Sequence, residues 1–353
     1  MLFKPNIITL GKFYKPWILE RWIMFSRKLT LVSVPILISC LLFVGTFSGI
    51  TFSDALTSFN FGATGDWGCS SNTGKTVTNI KGKGPERVLA IGDYSYSSTA
   101  TCWLDKISDI KSKTRIAIGN HEDDNDEGFS QYMNAFSLSK TYYSFTFSEA
   151  HVIVMDTDRV SFTSGSAQYN FVKSDLQSAS KNPAIKWIIV YMHKQMYTSP
   201  NTCSSSSCSN GGSDANSLRK TYHAMFDDYG VDLVLQGHVH NYQRTYPISY
   251  SGSGTPKITT TCSTNCNDPK GQVFAVVGTG GINFHALSGK SSFVKYQQDD
   301  KFGALNIIIN NNENKLTGQY YANGGSKLDE FSITKPSATA QYNYGPSLSL
   351  SGK

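Results

Sequence analysis

At 353 residues the chain is long enough for one large domain with a substantial core, or two smaller ones, plus terminal segments that belong to neither. A composition 39% hydrophobic and 16% charged excludes an intrinsically disordered chain. The net charge of +6 collects at the N-terminus, where residues 1–53 carry six basic groups against Glu20 alone; the remainder holds 26 basic and 25 acidic residues with no basic, aromatic-interleaved patch, so no nucleic-acid partner is expected.

From Leu29 to about Phe52 the sequence is apolar and free of charge, long enough to cross a bilayer, and preceded by Arg27 and Lys28. Two readings follow: a signal peptide cut after Ala55, with small residues at Ser53 and Ala55, or an uncleaved membrane anchor. Either one puts the body outside the cytoplasm, extracellular or at the cell surface. The expected organisation is an N-terminal basic segment with signal or anchor at 1–53, a catalytic domain at 54–335, and a polar tail at 336–353 that ends the chain or begins a further β domain.

Beyond residue 58, β-type runs alternate with amphipathic stretches, the order expected of an α/β domain around a central sheet. A run at 59–63, a helix at 73–82, a strand at 87–91, a helix at 100–110 and a strand at 115–118 make two successive β-α-β units. Strands follow at 143–147, 151–155, 187–191, 231–235 and 273–277, with helices at 167–180 and 215–228. After residue 300 the pattern turns to hairpin strands at 302–309, 316–321 and 328–333, separated by an asparagine run at 310–312 and by Gly324 and Gly325. Stretches 198–213 and 251–269, rich in small polar residues, read as loops that rim a site.

Cys40 lies in the apolar segment, and six cysteines lie in the body. An even number suits an oxidising compartment. Local pairing gives Cys203 with Cys208, Cys262 with Cys266, and Cys69 with Cys102, although six cysteines admit fifteen connectivities. The competing reading is a zinc site built from the two close pairs.

Five short motifs fall at the ends of apolar runs: Gly65-Asp66-Trp67-Gly68, Gly92-Asp93-Tyr94-Ser95-Tyr96, Gly119-Asn120-His121-Glu122, Val190-Tyr191-Met192-His193 and Gly237-His238-Val239-His240. Ligands of open α/β sheets collect beyond the carboxyl ends of the strands, so all five motifs can converge on one crevice. Their side chains are hard oxygen donors and imidazoles without thiolate, a set suited to iron, zinc or manganese. Two-metal sites need a bridging carboxylate and clamp both oxygens of a phosphoryl displacement. Any one motif alone is better explained as a turn or a satisfied histidine; five in this order are not.

The set GDWG, GDYSY, GNHE, VYMH and GHVH resembles the metallophosphoesterase superfamily over residues 58–335, and the tyrosine three residues after Asp93 resembles the purple acid phosphatases. The resemblance implies a four-layer α-β-β-α sandwich with mixed sheets. It implies Fe(III) held by Asp66, Tyr96 and His240, a divalent Zn, Fe or Mn held by Asn120, His193 and His238, and Asp93 bridging the two. It implies His121 as the general acid and a phosphate monoester as substrate, with Asn120 and His121 facing it. Glu122 reads as support for the neighbouring ligand. Tyr197 and Arg244 are further candidates for contact with substrate. In one departure from the pattern, no histidine follows His193 closely, and Lys194 or Tyr197 stands in its place. Two rival functions remain open: a phosphodiesterase on the same scaffold, and a non-catalytic cell-surface binding module. Membrane contact is expected only through an uncleaved N-terminal segment.

Overall fold

The computed structural model describes residues 57–123 and 126–336; the expected signal or anchor segment and the tail beyond 336 lie outside them. In chain order the first half forms β1 (Ser58–Thr64), α1 (Ser71–Gly82), β2 (Arg87–Ala90), α2 (Thr101–Lys106), β3 (Thr114–Ile116), α3 (Asn120–Asp123), α4 (Asp126–Ala135), β4 (Tyr143–Phe147), β5 (Ala150–Val154), α5 (Ala167–Lys181) and β6 (Trp187–Tyr191). The second half forms α6 (Ser213–Leu218), α7 (Ala224–Tyr229), β7 (Leu233–Gln236), β8 (Tyr242–Thr245), β9 (Ile248–Ser249), β10 (Lys257–Ile258), β11 (Asn265–Asn267), β12 (Val273–Val277), β13 (Val294–Gln298), β14 (Gly303–Asn310), β15 (Lys315–Ala322) and β16 (Lys327–Thr334).

Two seven-stranded sheets result, one in the order β11-β16-β15-β14-β1-β2-β3 and the other β13-β8-β12-β7-β6-β5-β4. Each is mixed: β1, β2 and β3 run parallel, as do β5, β6, β7 and β12, while the hairpin strands are antiparallel. The alternation of side chains along each strand sends Phe59, Phe61 and Ala63 of one sheet and Trp187, Ile189 and Tyr191 of the other into a single buried cluster between the sheets. The opposite faces are covered by helices. Val77, Ile80 and Trp103 pack on Val88 and Ala90 of the first sheet, and Val172, Leu176 and Phe226 pack on Ile188 and Val190 of the second. The central strand β6 of the second sheet is thus buried on both faces, which is why 187–191 reads as an unbroken apolar run. Each aliphatic side chain enclosed this way contributes roughly 1.5–3 kcal/mol. The architecture is the four-layer α-β-β-α sandwich.

Several elements depart from the sequence expectation. The helix expected over 215–228 is interrupted at Arg219–His223 by a π-helical turn and ends at Gly230, whose φ of 68° closes it in the left-handed conformation. The loop expected at 251–269 contains β10 and β11. Strands β8, β9 and β13 and helices α3 and α4 were absent from the expectation. All four residues of β8 are buried, and polar side chains on both faces leave no hydrophobic alternation to detect.

All six body cysteines pair locally, Cys69–Cys102, Cys203–Cys208 and Cys262–Cys266, so the four-cysteine zinc reading is removed. Among the described residues, no helix is long and apolar enough to cross a membrane.

Candidate metal centre

The loops after β1, β2, β3, β6 and β7 meet at one end of the sandwich, and the chain there is bent to fit. Asp66, Asp93, Tyr96 and His238 all have positive φ, at 58°, 55°, 53° and 68°. That region is unfavourable for residues with a side chain, by roughly 1–3 kcal/mol each. The glycines before the donors answer a different demand, close approach. A Cβ on Gly119 would lie 2.2 Å from Asp93 Oδ1, and one on Gly92 would lie 2.7 Å from His193 Nδ1.

Asp93 sits at the centre. Its Oδ2 is 3.2 Å from His193 Nε2 and accepts from the Tyr96 hydroxyl at 3.2 Å. The Tyr96 hydroxyl is also 3.1 Å from His240 Nε2, and His240 Nε2 is 3.4 Å from Asp66 Oδ1. Asn120 Oδ1 lies 3.2 Å from His193 Nε2, and the main-chain N–H of His238 donates to Asp66 Oδ2 at 3.0 Å. Two donor sets emerge, Asp93-His193-His238 and Asp66-Asp93-His240, each with its ligand atoms within 4.8 Å of one another. They share Asp93.

Glu122 braces this arrangement without belonging to it. Its carboxylate accepts from the N–H of Asp93 at 2.8 Å, of Tyr94 at 2.7 Å and of Gly119 at 3.0 Å, tying the β2 and β3 loops together. His121 stands at the mouth with a side chain 40% exposed, its ring 4.1 Å from that of Tyr96 and its Nε2 3.9 Å from Asp93 Oδ2. Its main-chain N–H donates to Asp93 Oδ1 at 3.0 Å.

Burial and mutual repulsion make the cluster a poor home for negative charge by itself. Burial, with Asp93 adding to it, raises the Asp66 carboxyl to about 8, and burial followed by Asp93 raises Glu122 to about 8. Burial, then the charges of Asp93 and Asp66, push the Tyr96 phenol up. Burial would raise Asp93 too, but the His193 imidazole holds it below the usual carboxylate range. Burial and His193 keep His238 down at about 3, and burial and His285 keep His240 at about 4, so both rings stay neutral with a lone pair to offer. Cations would relieve this repulsion, and oxygen and imidazole donors without thiolate suit a pair of hard or borderline metal ions.

Two of the sequence candidates are not brought to this cluster. Tyr197 is buried, 1% exposed, among Phe274 and Phe293, with its hydroxyl 2.7 Å from His223 Nδ1. Arg244 points between the sheets, where Nε and Nη2 donate to the two oxygens of Asp329 at 2.6 and 2.8 Å. A motif close in sequence fixed neither direction: Tyr197 lies in the loop after β6, and Arg244 faces the interior from β8. Lys194 is held between Asp158 and Asp214, 3.0 Å from each. Two residues that the motifs did not reveal lie beside the donors. His285 stacks on His240 at 3.8 Å between ring centroids, and Ser207 Oγ is 2.7 Å from His238 Nε2. Only the expectation that loop 198–213 rims the site hinted at Ser207.

A family model for calcineurin-like phosphoesterases matches residues 59–242. The chain is 28% identical over 249 residues to the phosphoenolpyruvate phosphatase of Allium cepa, covering 64% of this chain and 49% of that one. It is 24% identical over 258 residues to purple acid phosphatase 15 of Arabidopsis thaliana, covering 62% and 44%, and 30% identical over 184 residues to acid phosphatase type 7 of Homo sapiens, covering 46% and 39%. It spans less than half the length of these three relatives. In fold it is similar to the purple acid phosphatase PPD1 of yellow lupin, with a TM-score of 0.64 at 21% identity over 79% of this chain and 54% of that one. It is also similar to GAP50, the anchor in the inner membrane complex of Plasmodium, with a TM-score of 0.59 at 16% identity over 79% and 90%.

Proposed function

Because this chain belongs to the calcineurin-like phosphoesterase family, we propose that it hydrolyses phosphate monoesters at a pair of metal ions, Fe(III) with a divalent Zn, Fe or Mn, as a purple acid phosphatase does. One observation carries this reading: a single carboxylate, Asp93, is common to two separate sets of donors, the arrangement a two-ion site requires.

In this reading Asp66, Tyr96 and His240 hold the ferric ion, and Asn120, His193 and His238 hold the divalent one. The metal pair, when bound, supplies Lewis-acid stabilisation of the phosphoryl oxygens and a water acidic enough to attack near neutral pH. The chain's own residues do the rest. Phenolate and carboxylates crowd one side while neutral Asn120 serves the other, so the pocket keeps the positive character that attracts a phosphate group. His121, exposed at the mouth, donates a proton through its imidazole to the leaving alkoxide oxygen. Asn120 and His121 orient the ester; Tyr197 and Arg244, committed to the core, do not. Glu122 keeps Asp93 and Asn120 in register through its three main-chain contacts.

Three disulfides suit the oxidising setting of an exported or cell-surface protein, which is the location we propose. The test is to load the full chain with iron and zinc and assay aryl phosphate monoesters against diesters. Faster turnover of monoesters is expected. A clear preference for diesters would overturn the monoester assignment, and protein that takes up no metal and cleaves neither class would leave only a binding module on this scaffold.

A further inference from the structure

The three candidate metal-binding histidines are secured in two different ways. His193 and His240 each turn Nδ1 to a main-chain carbonyl, of Ile91 and of Asn283, both at 2.8 Å. A ring that donates from Nδ1 presents Nε2 as its lone pair, and Nε2 is the nitrogen both direct at the acidic donors. His238 is reversed. Its Nε2 is engaged, 2.7 Å from Ser207 Oγ, and its partner is a side chain from a separate loop.

We infer that Ser207 is a positioning residue for the divalent ion, fixing the His238 ring so that Nδ1 is the nitrogen it offers alongside Asp93 and His193. This rests on the metal-pair reading above. In this arrangement the hydroxyl accepts a hydrogen bond from Nε2–H, which leaves its own hydrogen to be shared with Ser205 Oγ, 2.6 Å away. Ser205 Oγ in turn accepts from the Ser207 N–H at 3.2 Å, closing a tight turn. Gln195, buried two residues beyond His193, donates Nε2 to the Ser207 carbonyl at 2.6 Å. The Cys203–Cys208 disulfide closes the same loop, and Cys208, 2% exposed, packs against Val239 and Val276. Ser207 is therefore held from three directions while it holds His238. A supporting group of this kind commonly accounts for about 10–100-fold in metal affinity.

The test is a zinc titration of iron-loaded full chain with a competing chelator, comparing wild type with Ser207→Ala, Ser207→Thr and Ser206→Ala. Ser206 is an exposed neighbour. The expected result is zinc affinity about tenfold weaker or more in Ser207→Ala, near wild type in Ser207→Thr and unchanged in Ser206→Ala. The visible absorption from Tyr96 on iron stays the same in all four. Wild-type affinity in Ser207→Ala overturns the inference. So does an equal loss of iron and zinc, which would mark general damage to the loop. Wild-type protein that binds neither metal fails the metal-pair reading itself, a result distinct from the other two.

Discussion

Asp93 Oδ2 and His193 Nε2, 3.2 Å apart, join the ends of strands from different sheets: Asp93 follows β2 in one and His193 follows β6 in the other. The candidate site is thus a seam, and it forms only when the two sheets are packed in register.

Asp93→Asn keeps the shape and removes the shared charge. We expect the affinity for both ions to fall by more than about 100-fold, beyond the effect of losing a supporting residue. Metal content after dialysis, with circular dichroism to show that the fold survives, checks it. Loss of one ion only would mean that Asp93 does not bridge.

Tyr96→Phe removes the phenol that lies between Asp93 and His240. The visible band of iron-loaded protein is expected to vanish while zinc uptake persists. Retention of the band would assign it to another group.

His121→Asn is expected to lower kcat by about 10²–10⁴-fold with both ions retained, since the imidazole is exposed at the mouth with Nε2 3.9 Å from Asp93 Oδ2, while the hydrogen bond to Asp93 comes from the main-chain N–H, which the variant keeps. The loss should shrink for esters with good leaving groups, which need little protonation. An equal loss across leaving groups would make His121 a positioning residue.

Arg244→Met should leave metal content unchanged and reduce stability by about 3–5 kcal/mol, because Asp329 is then buried without its cation. Adding Asp329→Leu should recover most of that loss. Denaturant midpoints of the single and double variants measure both effects.

His223 supplies a pH dependence remote from the metals. Burial holds its folded value at about 4 against an ordinary 6.5. Above pH 6.5 the ring is neutral folded or unfolded. As pH falls from 6.5 through 4 the unfolded chain takes up the proton first, and the fold loses about 3 kcal/mol. His223→Gln should flatten that part of the stability profile, and an unaltered slope would assign the effect elsewhere.

That the five motifs would meet at one end of the sheets was legible in the sequence because the physics at strand ends is local. Each must leave a strand, turn sharply and approach another loop closely, and Gly92 and Gly119 mark that demand in the text of the chain. The run at 59–63 was legible as a strand for the same reason, and its Phe59, Phe61 and Ala63 enter the core between the sheets. What could not be read was long-range direction. Arg244 crosses from one sheet to Asp329 in the other, and Gln243 bonds Thr198 and Asn241, so β8 carries no periodic signal. Ser207 meets His238 across 31 residues of chain, in a stretch whose composition announces only a loop.

The left-handed backbone at Asp66, Asp93, Tyr96 and His238 sets what substitution there can do. Glycine would occupy such positions with less strain. A glycine variant at any of the four would therefore exchange a candidate donor for a more relaxed main chain, so resistance to denaturant and weaker hold on cations should arrive together.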